Sequence, residues 1–419
     1  MISLQGLVAD WLLRRAEVAG ADKRRPYMVD YRRVERVKLP LLTLAHSRFK
    51  PGREFDSFCK AQAAWLHDYA VFMAIKESRG GKPWWTWPEA LRFRRAEALR
   101  RVERRLASDI QRHKFLQVVF FRQWRTLKAH AHARGVRLVG DMPIYVAHDS
   151  ADVWAYPENF LLDRRRKPLR VAGVPPDFFS RTGQLWGNPV YDWNYLRKTK
   201  FAWWEQRLRA NLALYDIVRF DHFRAFAGYW GVPYGHRTAI DGRWYKAPGA
   251  ELFGHWRRVF GTLDMIVEDL GMITPDVRKL RDDFHLPGMK ILHYAFGGGA
   301  DSEYLPHNYA RNFVVYTGTH DNDTTRGWYA SAPENVKRHA RAYVGDGVKE
   351  SAWPLIRLAW QSVAGTAIVP MQDLLDLGTK ARMNVPGTTV GNWRWRMGGG
   401  ELTAGLAARL KGLTVACGR

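Results

Sequence analysis

The chain has 419 residues, 46% of them hydrophobic and 13% aromatic, and carries a formal net charge of +25. That composition excludes a disordered polymer and allows one large α/β domain or two ordinary ones. The two cysteines, Cys59 and Cys417, exclude a disulfide framework and a cysteine-built metal cluster. No apolar run approaches the roughly 20 residues of a membrane span, and the N-terminus lacks a signal-peptide layout, so a cytoplasmic address is expected. The basic residues are spread along the chain. Their densest clusters, within 92–105 and 164–170, read as a solvated helix face and a loop, so nucleic-acid binding is not expected.

Residues 2–20 read as a short extended lead-in followed by a helix with Leu7, Val8, Trp11 and Leu12 on one face. Between Asp56 and Lys76, Phe58, Ala61, Trp65, Tyr69, Phe72 and Met73 recur at helical spacing. Pro83-Trp84-Trp85-Thr86-Trp87-Pro88 breaks that pattern. Prolines flanking tryptophans mark a rigid loop packed on helices, and a sugar platform is the less favoured reading. Helix resumes over 88–133, with Phe115, Val118, Val119 and Trp124 as its apolar faces. Residues 1–135 are therefore expected to form a mainly helical subdomain.

Beyond Gly135 the character changes. A strand is expected over 136–146, carrying Asp141, followed by a loop insertion over 147–195. Strands at 217–221, 265–269, 289–296, 313–319 and 366–371 then alternate with helices near 252–260, 275–283, 333–343 and 353–362. This is the rhythm of a parallel β/α barrel, with six strands in place of eight. The expected fold class is α/β, with residues 136–419 as its barrel part.

Three of these strands end in acids: Asp221, Glu268, and Asp321 after His320. In Ile217-Val218-Arg219-Phe220-Asp221-His222-Phe223-Arg224, strand alternation puts Arg219 and Asp221 on one face. There the guanidinium can keep the carboxylate ionised, as an anionic nucleophile must be. A plain surface ion pair is the bland alternative. C-terminal strand ends of a barrel converge, so the three acids can share a cleft. Glycoside chemistry gives each a distinct role, in attack on the anomeric carbon, protonation of the leaving oxygen, and stabilisation of the oxocarbenium-like charge. A Mg²⁺ or Ca²⁺ site is the competing use, which Arg219 and His320 disfavour by repulsion. His148, His293 and His307 lack metal-ligand spacing and read as structural. No metal or cofactor is expected.

Six stretches, 140–146, 149–154, 171–193, 219–224, 267–271 and 318–324, together with Gly391-Asn392-Trp393-Arg394-Trp395-Arg396, resemble the amylomaltases. These are 4-α-glucanotransferases related to the α-amylases, and the resemblance covers essentially the whole chain. It implies Asp221 as nucleophile, Glu268 as acid/base and Asp321 as transition-state stabiliser. It implies Arg219 and His320 as holders of the sugar in the cleaved subsite and Asp141 as the acid after the third barrel strand. Trp186 and Asp177 match a flexible loop over the acceptor side. The implied partners are maltooligosaccharides and starch- or glycogen-derived glucans, with no nucleic acid or membrane. Family members carry a further N-terminal stretch with the first two barrel strands, so a barrel lacking those two is expected. An inactive or partner-complemented fragment that binds α-glucan, or an α-glucan hydrolase, are the alternative readings.

Overall fold

The computed structural model describes residues 2–21, 27–176 and 180–419. Before Val139 every regular element described is helical, with principal helices at Tyr31–Arg48, Arg53–Ala61, Leu66–Ser78, Ala96–Arg105 and Ala107–His132. The two long helices expected from periodicity are each subdivided. One breaks between Ala61 and Leu66, and 88–133 holds three helices, the first being Glu89–Arg92. Leu4, Leu7, Ala45, Phe115 and Val119 share one buried cluster of these helices. In the proline-flanked loop Trp84 and Trp87 are buried. The Trp84 indole donates to the His148 carbonyl at 2.6 Å, and Trp85 stacks on the His148 ring at 4.3 Å. These tryptophans are packing residues.

The strands, numbered in chain order, are β1 (Val139–Met142), β2 (Arg170–Val174), β3 (Gln184–Pro189), β4 (Ile217–Phe220), β5 (Gly228–Pro233), β6 (Arg243–Lys246), β7 (Met265–Val267), β8 (Gly288–Ile291), β9 (Phe313–Tyr316) and β10 (Thr366–Ile368). They form two three-stranded sheets, β1-β4-β7 and β10-β9-β8, and a four-stranded sheet β3-β2-β5-β6. The pairs β1–β4, β8–β9 and β9–β10 are parallel. All six barrel-type strands read from the sequence exist, each shorter than its apolar pattern. After Ile291 the chain coils into the 3-10 turn Leu292–Gly297, and Glu268 and Asp321 lie beyond their strand ends. Apolar residues mark burial, whereas strand length also needs a hydrogen-bonded neighbour.

The antiparallel sheet corrects the reading of 147–195 as loop, because β2 and β3 lie inside that range. Gly187 and Pro189 look like turn chemistry, yet they sit in β3, with Gly187 at φ +78°. Gly173 is needed on β2, since a Cβ there would fall 2.4 Å from the Gln184 carbonyl oxygen.

The chain divides into two compact units. One comprises Met1–Asp22, Val34–Met265 and Thr274–Leu280; the other comprises Lys23–Arg33, Ile266–Ile273 and Arg281–Arg419. In the first, Phe220, Phe226, Phe253, Trp256 and Trp204 form an aromatic layer between β4 and the helix Gly249–Phe260, with Phe220 stacked on Trp256 at 5.4 Å. In the second, helices Trp353–Gln361 and Ala404–Ala416 pack with Leu292 and Val315 around Ile356, Trp360 and Leu413. Among the described residues no helix is long and apolar enough to cross a membrane.

Candidate active site

In the first unit, Asp141, Arg219 and Asp221 stand together where β1 and β4 end. Parallel register pairs Asp141 with Arg219. Alternation sends Val218 and Phe220 into the packed layer and Arg219 to the opposite face. Arg219 is 6% exposed. Its Nη1 donates to Asp141 Oδ1 at 2.6 Å and to Asp221 Oδ1 at 3.2 Å. One buried guanidinium thus serves two carboxylates, whose side chains keep 43% and 39% of their surface exposed. The Asp221 amide donates to the Met142 carbonyl at 3.1 Å, which fixes the strand end under the acid.

The next residue, His222, turns into the left-handed region with φ +50°, a conformation histidine tolerates better than most side chains. Burial lowers its pKa to about 4, against the pull of the Asp221 charge, so the imidazole beside Asp221 is neutral at pH 7. The Trp186 ring lies edge-on to His222 at 4.8 Å and 6.2 Å from Tyr145. Trp186 therefore belongs to strand β3 and packs on the residue following Asp221. Asp177 lies outside the described residues. Arg224, also buried, is covered by the Trp244 ring at 3.8 Å.

In the second unit, Glu268 is half-buried directly after β7. Its neighbour Asp269 turns into the core, accepting the Met289 amide at 2.7 Å and pairing with Arg281. That pair anchors the strand end from which Glu268 emerges. Asp321 Oδ1 accepts from Asn384 Nδ2 at 2.6 Å, its carbonyl accepts from Arg382 Nη2 at 2.8 Å, and His320 Nε2 lies 3.5 Å from Oδ2. The His320 ring sits 5.1 Å from Trp393. Tyr294 receives an Asn322 hydrogen bond at 3.0 Å. Burial, then the charges of Glu268 and Asp321, push its hydroxyl pKa up, against the Asn322 bond and Arg382. Glu268 and Asp321 thus lie within electrostatic range of one tyrosine.

The first unit therefore gathers Asp141, Trp186, Arg219 and Asp221, and the second gathers Glu268, His320 and Asp321. Sequence reasoning missed Tyr294, Arg382 and Asn384. Arg382 and Asn384 sit in irregular chain far from any strand end, and no spacing pattern ties them to Asp321. Among the described residues no group of three or more His, Cys, Asp or Glu side chains is placed to hold a metal ion.

An arginine-bridged acid pair and an amide-held acid on α/β strand ends suit acid-assisted glycoside chemistry. Similarity to known proteins makes the class specific. A family model described as 4-alpha-glucanotransferase, glycoside hydrolase family 77, matches residues 1–402. A 4-alpha-glucanotransferase from Synechocystis is 48% identical over 100% of this chain and 85% of its own. One from Thermus thermophilus is 49% identical over 93% and 81%. The structure of the amylomaltase from Streptococcus agalactiae in complex with acarbose aligns with a TM-score of 0.96 at 37% identity, covering 100% of this chain and 86% of that one. The chain belongs to glycoside hydrolase family 77, the 4-alpha-glucanotransferases.

Proposed function

We propose that this chain moves an α-1,4-glucan segment from a donor glucan to the 4-hydroxyl of an acceptor sugar by retaining double displacement. Glucan transfer follows from the family; the roles below are our reading. The Asp221 carboxylate attacks the anomeric carbon as the glycosidic bond breaks, and Glu268 gives its proton to the departing oxygen. The acceptor hydroxyl then attacks the same carbon, returns its proton to Glu268 and releases Asp221. Asp321 offsets the positive charge that develops in both steps. Arg219, His320 and Asp141 hold the reacting sugar. Trp186 and Asp177 belong to the acceptor side, where a covered glycosyl-enzyme excludes water until a sugar arrives.

The observation that carries this reading is the guanidinium of Arg219, buried and hydrogen-bonded to Asp221, which holds that carboxylate in a fixed orientation while its side chain stays open to solvent. Maltooligosaccharides and starch- or glycogen-derived chains are the proposed substrates, in the cytoplasm. Residues 136–419 form the catalytic part and 1–135 its helical companion. Incubation with maltotriose tests the reaction: glucose and chains longer than maltotriose are expected. Accumulation of only glucose and maltose means hydrolysis and overturns the transfer reading.

A further inference from the structure

The loop between β9 and the helix Thr325–Ser331 carries His320 and Asp321. Below it lies a polar cluster that the reaction itself does not use. Asp373, on the short helix Met371–Leu374, is 1% exposed, and Thr317 and Thr325 are both 0% exposed. The Thr317 hydroxyl donates to Asp373 Oδ2 at 2.6 Å. The Thr325 hydroxyl donates to the same oxygen at 2.7 Å, and the Thr325 amide donates to Oδ1 at 2.7 Å. Thr317 is the residue before the loop and Thr325 the residue after it. One buried carboxylate therefore fastens both ends.

The fastening is specific in its chemistry. The Thr325 hydroxyl spends its proton on Asp373, so the His293 Nε2 that meets it at 2.9 Å is the donor. Burial lowers the His293 pKa to about 3, so that ring is neutral. Gly318 lets the loop lie on His293, where a Cβ would fall 2.6 Å from the ring. The stretch that follows Asp373 then grips the loop higher up. Thr379 donates to Asp323 at 2.9 Å, and Asn384 to Asp321 at 2.6 Å. An amide in place of the Asp373 carboxylate has one accepting oxygen for three donors, so it cannot reproduce the clamp.

We propose that Asp373 is a positioning residue, whose carboxylate clamps the two ends of the 318–324 loop and thereby sets where Asp321 stands against the reacting sugar. This rests on Asp321 as the charge-stabilising acid. Because that acid acts in the transition state, misplacing it lowers kcat more than it raises KM.

The experiment measures maltotriose disproportionation and thermal unfolding for Asp373→Asn, Thr317→Val, Thr317→Ser and Asp321→Asn. Expected are a kcat loss of at least about tenfold in Asp373→Asn and severalfold in Thr317→Val, with KM within about threefold of wild type. Thr317→Ser, which keeps the hydroxyl, recovers kcat to within about twofold. The Thr317 pair decides the matter if Asp373→Asn does not fold. Wild-type kcat in Thr317→Val, or equal losses in the Val and Ser variants, overturns the proposal. Full activity in Asp321→Asn overturns the reading of Asp321 instead, whatever the other variants do.

Discussion

At the two ends of β1 and β4 an aspartate meets cations, with different outcomes. At the N-terminal end Asp216 accepts the Leu138 amide at 2.7 Å and His132 at 2.9 Å, and it lies 3.1 Å from Lys128. Only 15% of its side chain is exposed. At the C-terminal end Asp221 shares one arginine with Asp141 and keeps 39% of its side chain exposed. The lower carboxylate spends its accepting capacity on the protein and ties helix Ala107–His132 to the strands. The upper one is oriented by a single charged donor and still presents a face to solvent. Burial alone would raise the Asp216 pKa, but the Leu138 amide, His132 and Lys128 outweigh it and hold it at about 2. One end ties elements together; the other leaves a carboxylate facing solvent.

Substitutions should separate the two ends, and the largest effect belongs to the upper one. Asp221→Asn should reduce maltotriose disproportionation at least about a thousandfold while leaving the melting temperature within about 2 °C. Retained turnover would remove Asp221 from the chemistry. Arg219→Gln should strike both properties, because it leaves two neighbouring carboxylates without their cation. A kcat loss of at least about tenfold and about 3 kcal/mol of unfolding free energy are expected from chemical denaturation and steady-state kinetics. An unaltered denaturation midpoint would show that the buried guanidinium contributes nothing net.

Asp216→Asn should do the reverse, costing about 2 kcal/mol near pH 7 with kcat unchanged. Its pH dependence has a definite sign. A carboxyl whose folded pKa is depressed contributes stability above its ordinary value, roughly pH 4, and loses it as pH falls towards about 2. The gap between wild-type and Asp216→Asn unfolding free energies should therefore close over that interval. A gap that stays constant from pH 7 to pH 2 would rule out the ionised carboxylate as its source. The smallest effect is expected for Trp186→Ala. Total turnover should change by no more than about twofold, while hydrolysis takes a larger share of the products, read as free glucose against elongated chains. An unchanged product ratio would detach Trp186 from acceptor control.

Much of this comparison is legible in the chain. The Arg219–Asp221 spacing predicts one strand face, and their 3.2 Å contact realises it. All six barrel-type strands are visible as apolar runs, because burial leaves its mark on composition. The ladder β2–β3 is not visible, because Gly187 and Pro189 imitate a turn when their pairing partners are unknown. Equally hidden is the hold of Asn384 and Arg382 on Asp321, 63 and 61 residues away in the chain.

Taken by itself, the sequence determined which strand ends carry acids and which segments bury apolar surface, since alternation and charge are local properties of the chain. The tertiary structure decided where each strand stops, which donors orient Asp321, and that Asp216 is a staple while Asp221 remains exposed. The physical reason is that a carboxylate has the same intrinsic chemistry at either end of a strand. For Asp216 the burial, hydrogen-bond donors and pKa are set by Leu138, His132 and Lys128, distant in sequence, which only folding brings to it.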